Sequence, residues 1–207
     1  MKPARIIIFA KAPYPGFAKT RLIPALGREG AAELARQMLF HTLQEAMAAA
    51  IGPVELCVTP SIENAAWQGI QLPSCIEISG QGEGDLGVRL ARAARRGIGQ
   101  GQSVLLIGTD CMEMSAALLR EAAQALFEHD AVIHGTTDGG YALLGLRQFN
   151  PSLFSGMPWS TDAVAHATLA RLGQLGWLVH IGQVLHDIDE PQDLKYLPGQ
   201  WRSHAVA

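Results

Sequence analysis

Four short segments carry residue types that could do chemistry. In the first, Lys11-Ala12-Pro13-Tyr14-Pro15-Gly16-Phe17-Ala18-Lys19-Thr20-Arg21 sets three cations around a Pro/Gly turn. Gly16 lets a backbone approach a ligand closely, and Lys11, Lys19 and Arg21 offer charge and donors to phosphate oxygens. The segment is neither a P-loop nor a G-x-G-x-x-G dinucleotide fingerprint. In the second, Gly108-Thr109-Asp110-Cys111 follows an apolar run. A carboxylate there can hold Mg²⁺ or Mn²⁺, hard cations that take oxygen ligands and bridge to phosphates. The third, His186-Asp187-Ile188-Asp189-Glu190-Pro191, alternates its acids, so Asp187 and Asp189 share one face of an extended chain. Acids before a helix also suit its N-terminus. Convergence of Asp110 with Asp189 would make a two-carboxylate cation site. In the fourth, Thr136-Thr137-Asp138-Gly139-Gly140-Tyr141, a Gly pair after an acid makes a tight turn open to a ligand, with Asp138 placed to act as a base.

The elements that must position these segments follow from hydrophobic period. Short apolar runs read as buried strands: Arg5–Phe9, Val54–Val58, Cys75–Ile78, Ser103–Ile107, Ala131–His134, Tyr141–Leu146 and Trp177–Ile181. Between them, three- and four-residue spacing predicts helices over roughly Gly30–Ala50, Leu86–Ile98 and Asp162–Leu175, with another from a Ser115 cap to about His129. Shorter helices are expected over Ser61–Trp67 and over Pro191 to about Leu197, where Pro suits a first turn. Strands alternating with helices imply one α/β domain over residues 1–207, a mostly parallel sheet with helices on both faces. Ligands of such sheets bind beyond the carboxyl ends of the strands, where the first two motifs fall.

Composition narrows the function. The chain has 207 residues, 17% of them charged, and a formal net charge of −3. Nucleic-acid-binding proteins carry a positive excess, so no nucleic-acid partner is expected. No apolar run approaches the ~20 residues of a membrane span. Cys57, Cys75 and Cys111 form no C-x-x-C pair, which fits reduced thiols in a cytoplasmic protein. Neither H-E-x-x-H nor G-x-S-x-G occurs, and Cys111 has no identifiable activating partner.

Six segments in register resemble a bacterial family of glycosyltransferase-A-fold proteins. The family is labelled selenodomain- or radical-SAM-associated transferase, or arsenosugar-biosynthesis-type glycosyltransferase. The matching residues are Phe9-Ala10-Lys11-Ala12-Pro13 with Gly16 and Lys19-Thr20-Arg21-Leu22, then Gly82 with Gly84-Asp85-Leu86-Gly87 and Arg89-Leu90. Gly108–Cys111, Asp138–Tyr141, Trp159-Ser160-Thr161 and Asp187–Asp189 through Asp193-Leu194 complete the set. Met112 stands where the family usually has Pro, and Thr136 replaces a more usual acidic or small residue. The resemblance implies the Rossmann-like fold of nucleotide-diphospho-sugar transferases, with Asp110 and Asp189 at the metal and Mg²⁺ or Mn²⁺ as cofactor. It adds Asp85 and Arg89 to Lys11, Gly16, Lys19 and Arg21 as nucleotide-binding residues. Gly139, Gly140, Tyr141, Trp159 and Thr161 become acceptor- or sugar-binding residues, with Asp110 and Asp138 catalytic. The expected reaction is glycosyl transfer from a nucleotide-diphospho-sugar to a small acceptor. The cation-rich first loop leaves open nucleotidyl transfer from a nucleoside triphosphate with pyrophosphate release.

Overall fold

The computed structural model describes residues 3–199 and 201. Its strands are β1 (Ala4–Lys11), β2 (Val54–Thr59), β3 (Glu77–Gly80), β4 (Ser103–Ile107), β5 (Ala131–Gly135), β6 (Tyr141–Leu146) and β7 (Val179–Ile181). They form one seven-stranded sheet in the order β3-β2-β1-β4-β6-β5-β7. All pairings are parallel except those of β6, which is antiparallel to both β4 and β5. The α/β expectation therefore holds, with one inserted antiparallel strand. That reversal comes from the short turn over residues 136–140, which joins β5 to β6 as a hairpin instead of a helical crossover.

The helices are α1 (Ile23–Ala49), α2 (Leu86–Gly99), α3 (Ala116–Ala125) and α4 (Val164–Gln174). Alternation along β1 shows how they cover the sheet. Ile6 and Ile8 enter a core with Leu39 and Leu43 of α1 and Leu119 of α3, whereas Ile7 points the other way toward Leu90 of α2 and Leu172 of α4. All three isoleucines are fully buried, each contributing about 1.5–3 kcal/mol relative to exposure. An unbroken apolar run is what a strand sandwiched between two helix layers requires.

Several local expectations shift. The first helix begins at Ile23 and bends at Gly27, whose φ of 71° no helix interior tolerates. Ser61 caps nothing; Asn64 accepts from the Ala66 amide and starts a 3-10 turn over Ala65–Trp67. β3 lies two residues later than its apolar run, leaving Cys75 exposed. Ser115 does cap α3, at 3.2 Å from the Leu118 amide, but the helix stops at Ala125. The last helical segment is a 3-10 turn over Pro191–Tyr196, held by a capping box between Glu190 and Asp193.

A third, smaller cluster positions the chemistry. Leu22, Leu34 and Met38 pack with Ile188 and Leu197, and Leu22 and Ile188 are both fully excluded from solvent. This contact ties the loop after β1 to the acidic segment near the end of the chain.

Candidate active site

The carboxyl ends of β1, β4 and β5 and the start of β6 meet at one edge of the sheet, and a cleft of about 640 Å³ opens there. Backbone pairing brings the second and third motifs together. Cys111 and Asp187 form an antiparallel bridge, and the Ile188 amide donates to the Asp110 carbonyl at 2.9 Å. Asp110 and Asp189 are thereby held side by side, across 79 positions of sequence that the motifs alone could not span.

Lys19 lies between them. Its Nζ contacts Asp110 Oδ1, reaches Asp189 Oδ1 at 3.1 Å and donates to the Ile188 carbonyl at 2.6 Å. Only 5% of the side chain is exposed. Burial works against its charge, but Asp110 and Asp189 more than offset this and raise its pKa. Lys19 adopts a left-handed backbone, φ 49° and ψ 40°, a strained conformation for a residue with a Cβ. Arg21 also lines the cleft, and makes no hydrogen bond or ion pair among the described residues. Lys11 instead lies 5.7 Å from the Phe17 ring, and neither it nor Gly16 lines the cleft.

Asp187, which sequence reasoning placed beside Asp189 without giving it a role, is a strongly perturbed carboxyl of the site. Burial, then the charges of Asp110, Asp189 and Asp138, push it up to about 7, with Lys19 pulling the other way. The same causes, burial first and Asp110 next, raise Asp189. The signals for Asp187 in the sequence were its alternation with Asp189 and its place in the last segment of the family resemblance. Asp162 and Glu190 also reach the cleft, so six carboxylates line it against one guanidinium.

On the far side stands the β5–β6 turn. Asp138 lines the cleft, and its Oδ1 accepts from the Thr136 hydroxyl and from the Gly140 amide at 3.0 Å, with no hydrogen bond to Oδ2 among the described residues. Gly139 sits at φ 88°, and a Cβ there would lie 2.0 Å from the Asp162 carbonyl. The turn is thus locked against the start of α4, where the Ala165 amide donates to the Gly139 carbonyl at 2.9 Å. Gly140, Tyr141, Trp159 and Thr161 line the cleft and Gly139 does not. The indole Nε1 of Trp159 is buried with no hydrogen-bond partner. Burial pushes the Tyr141 phenol up.

Asp85 and Arg89 lie outside the cleft. Asp85 caps α2 by accepting from the Val88 amide at 2.8 Å, and Arg89 donates to the Gly84 carbonyl at 2.8 Å. Arg92 donates to the carbonyls of Gln81 and Glu83, and Arg96 pairs with buried Glu55. Arg89 and Arg92 thus fasten the glycine-rich loop of residues 80–85 to α2. Cys111 lines the cleft, but burial pushes its thiol up to about 12, so it holds its proton at neutral pH.

The donor set suits a divalent cation: hard carboxylate oxygens of Asp110 and Asp189 converge on one point, with Asp187 adding negative charge that Lys19 does not balance. Among the described residues no group of three His, Cys, Asp or Glu side chains is arranged to hold a metal ion by itself.

Residues 42–161 match the DUF2064 family, described as an uncharacterized protein conserved in bacteria. The chain belongs to that family. Among solved structures it is similar to a protein of Desulfovibrio desulfuricans G20 provisionally assigned as a nucleotide-diphospho-sugar transferase. The identity is 29% and the TM-score 0.88, over 97% of this chain and 88% of that one. More distant likenesses show the fold alone. A 4-diphosphocytidyl-2C-methyl-D-erythritol synthase of Anaerococcus prevotii DSM 20548 is 13% identical, with a TM-score of 0.60 over 97% and 96% of the two chains. Rv0371c of Mycobacterium tuberculosis H37Rv, in complex with manganese, is 16% identical, with a TM-score of 0.54 over 94% and 97%. No curated protein matches the chain. The nucleotide-diphospho-sugar transferase fold is thus established, and no helix among the described residues is long and apolar enough to cross a membrane.

Proposed function

We propose that the chain, as a single domain over residues 1–207, is a metal-dependent glycosyltransferase that moves a sugar from a nucleotide-diphospho-sugar to a small acceptor. The observation that carries this reading is the charge of the cleft: six carboxylates against one free guanidinium. A lining of this sign suits a donor whose diphosphate is paired with a divalent cation. The solved structure at 29% identity supports the same class, and the manganese in the Rv0371c structure supports Mg²⁺ or Mn²⁺ as the cation. The narrower resemblance to selenodomain-associated and arsenosugar-type transferases belongs to this proposal as well.

Asp110 and Asp189 would hold the cation, which when bound neutralises negative charge developing on the departing diphosphate. Arg21 takes a phosphate oxygen through its free guanidinium. Asp138 accepts the acceptor hydroxyl's proton at Oδ2, while the Thr136 hydroxyl and Gly140 amide keep Oδ1 fixed. Trp159, with its unpartnered indole N–H, and Tyr141 form the wall against which the sugar lies. Lys11 and Gly16 reach phosphate only by movement of the first loop, while Asp85 acts by capping α2 and Arg89 by holding the Gly84 carbonyl.

One observation favours a second reading. The cation-bearing loop after β1 also fits a nucleoside triphosphate, and the Anaerococcus structure is named for a cytidylyl chemistry on the same fold. Product analysis separates the two. Incubation with Mn²⁺, nucleotide-sugars and candidate acceptors should release a nucleoside diphosphate without pyrophosphate. Pyrophosphate release from a nucleoside triphosphate would replace glycosyl by nucleotidyl transfer.

A further inference from the structure

We infer that Lys19 holds the cation site closed until a polyphosphate draws its ammonium away, so that phosphate and divalent cation bind as a coupled pair. This rests on the reading of Asp110 and Asp189 as the cation's ligands. An ammonium has three N–H donors and no acceptor. All three of Lys19 have partners within the chain: Asp110 Oδ1, Asp189 Oδ1 and the Ile188 carbonyl. No donor is left for a phosphate, although the sequence position suggests one.

The ammonium occupies the point that a cation shared by Asp110 and Asp189 must occupy. Two cations cannot share that point, because the ammonium already fills the space between the two carboxylate oxygens. Either Lys19 leaves or the metal stays out. The local chain permits the exchange. Leu22, fully buried, anchors the segment from behind, while Lys19 itself sits in a strained left-handed conformation at the head of a 3-10 turn. The Arg21 guanidinium, two residues on, lines the same cleft without a hydrogen bond among the described residues, its charge acting on Asp189, and offers a first phosphate contact. Once the ammonium moves onto phosphate, Asp110 and Asp189 are left as an unbalanced pair. Linkage then makes the effect reciprocal: the polyphosphate raises cation affinity by the same factor that the cation raises polyphosphate affinity.

The test is calorimetric titration of wild type, Lys19→Met and Lys19→Gln with two probes: Mn²⁺ alone, and inorganic pyrophosphate in EDTA. Both variants should bind Mn²⁺ at least about tenfold more tightly than wild type and pyrophosphate about tenfold more weakly, a range typical of coupled sites. A merely structural lysine would weaken both. Mn²⁺ affinity unchanged or lowered in the variants overturns the inference. If that affinity is equal in all three proteins yet lost on Asp110→Asn, the cation site stands and only the role of Lys19 falls. If Mn²⁺ binds none of them, with or without pyrophosphate, the cation site itself is wrong. Should both variants fold poorly, wild-type melting gives the answer: Mn²⁺ and pyrophosphate together must stabilise by more than the sum of their separate effects, and additivity overturns the inference.

Discussion

Replacing Asp187 by Asn should make the metal-free protein more stable at pH 8 while leaving it unchanged near pH 4. In the folded chain burial, and then three neighbouring carboxylates, push this carboxyl up to about 7 from an ordinary 3.8. The folded state therefore holds the proton more tightly than the unfolded state does. Stability is greatest below the unfolded value, falls as pH rises between about 4 and 7, and carries the full penalty above 7. At about 1.4 kcal/mol for each pH unit, the gap sets an upper bound of about 4 kcal/mol. Water in the open cleft and the nearby Lys19 ammonium reduce this, leaving about 1–3 kcal/mol, or roughly 3–10 °C in melting temperature for a chain of this size. The assay is differential scanning calorimetry of wild type and Asp187→Asn in EDTA from pH 4 to pH 8.5, read as the difference between the two proteins at each pH. The gap should open through pH 5–7, and Mn²⁺ with pyrophosphate should narrow it by stabilising wild type more. A variant less stable than wild type at pH 8, or a gap independent of pH, would refute the claim that the site is overloaded with negative charge.

Three further outcomes follow from the geometry. Gly139→Ala should lower stability by more than about 2 kcal/mol, since a Cβ would lie 2.0 Å from the Asp162 carbonyl at a φ of 88°; an unaltered melting curve would contradict the packing. Thr136→Val should slow turnover about tenfold at unchanged donor affinity, because the hydroxyl orients the Asp138 carboxylate; steady-state kinetics with a direct binding titration separates the two effects. Of the three thiols only exposed Cys75 should react quickly with an aromatic disulfide reagent at pH 8, with Cys57 and Cys111 reacting after denaturation; two fast thiols would contradict the burial of Cys57 and of Cys111, whose thiol is pushed up to about 12.

Much of this architecture is visible in residue order, for physical reasons particular to each element. Ile6-Ile7-Ile8 and Val104–Ile107 are apolar on both faces, and only a strand between two helix layers demands that. The reversed β6 was hidden, since Tyr141–Leu146 is as apolar as the strands on either side of it and direction leaves no trace in composition. What marked it was the brevity of the link from β5, too short for a helical crossover. The site was legible as separate motifs and illegible as a constellation. Asp110 and Asp189 meet through a backbone bridge at Cys111 and Asp187 and through Leu22 against Ile188, contacts that no local pattern encodes. Asp85 and Arg89 show the converse. Their motif is distinct in sequence because a glycine-rich loop needs a cap and a clasp, and those tasks use the same residue types as phosphate binding.

The most direct test of the cation-dependent donor site is a thermal-shift comparison of wild type and Asp110→Asn with nucleotide-sugars, each with and without Mn²⁺. A donor present at 100 times its dissociation constant stabilises by about 2.7 kcal/mol, roughly 5–10 °C here. The account predicts that at least one nucleotide-sugar produces this shift in wild type only when Mn²⁺ is present, and that Asp110→Asn abolishes the metal-dependent part. An equal shift in both proteins, or one indifferent to Mn²⁺, would contradict it.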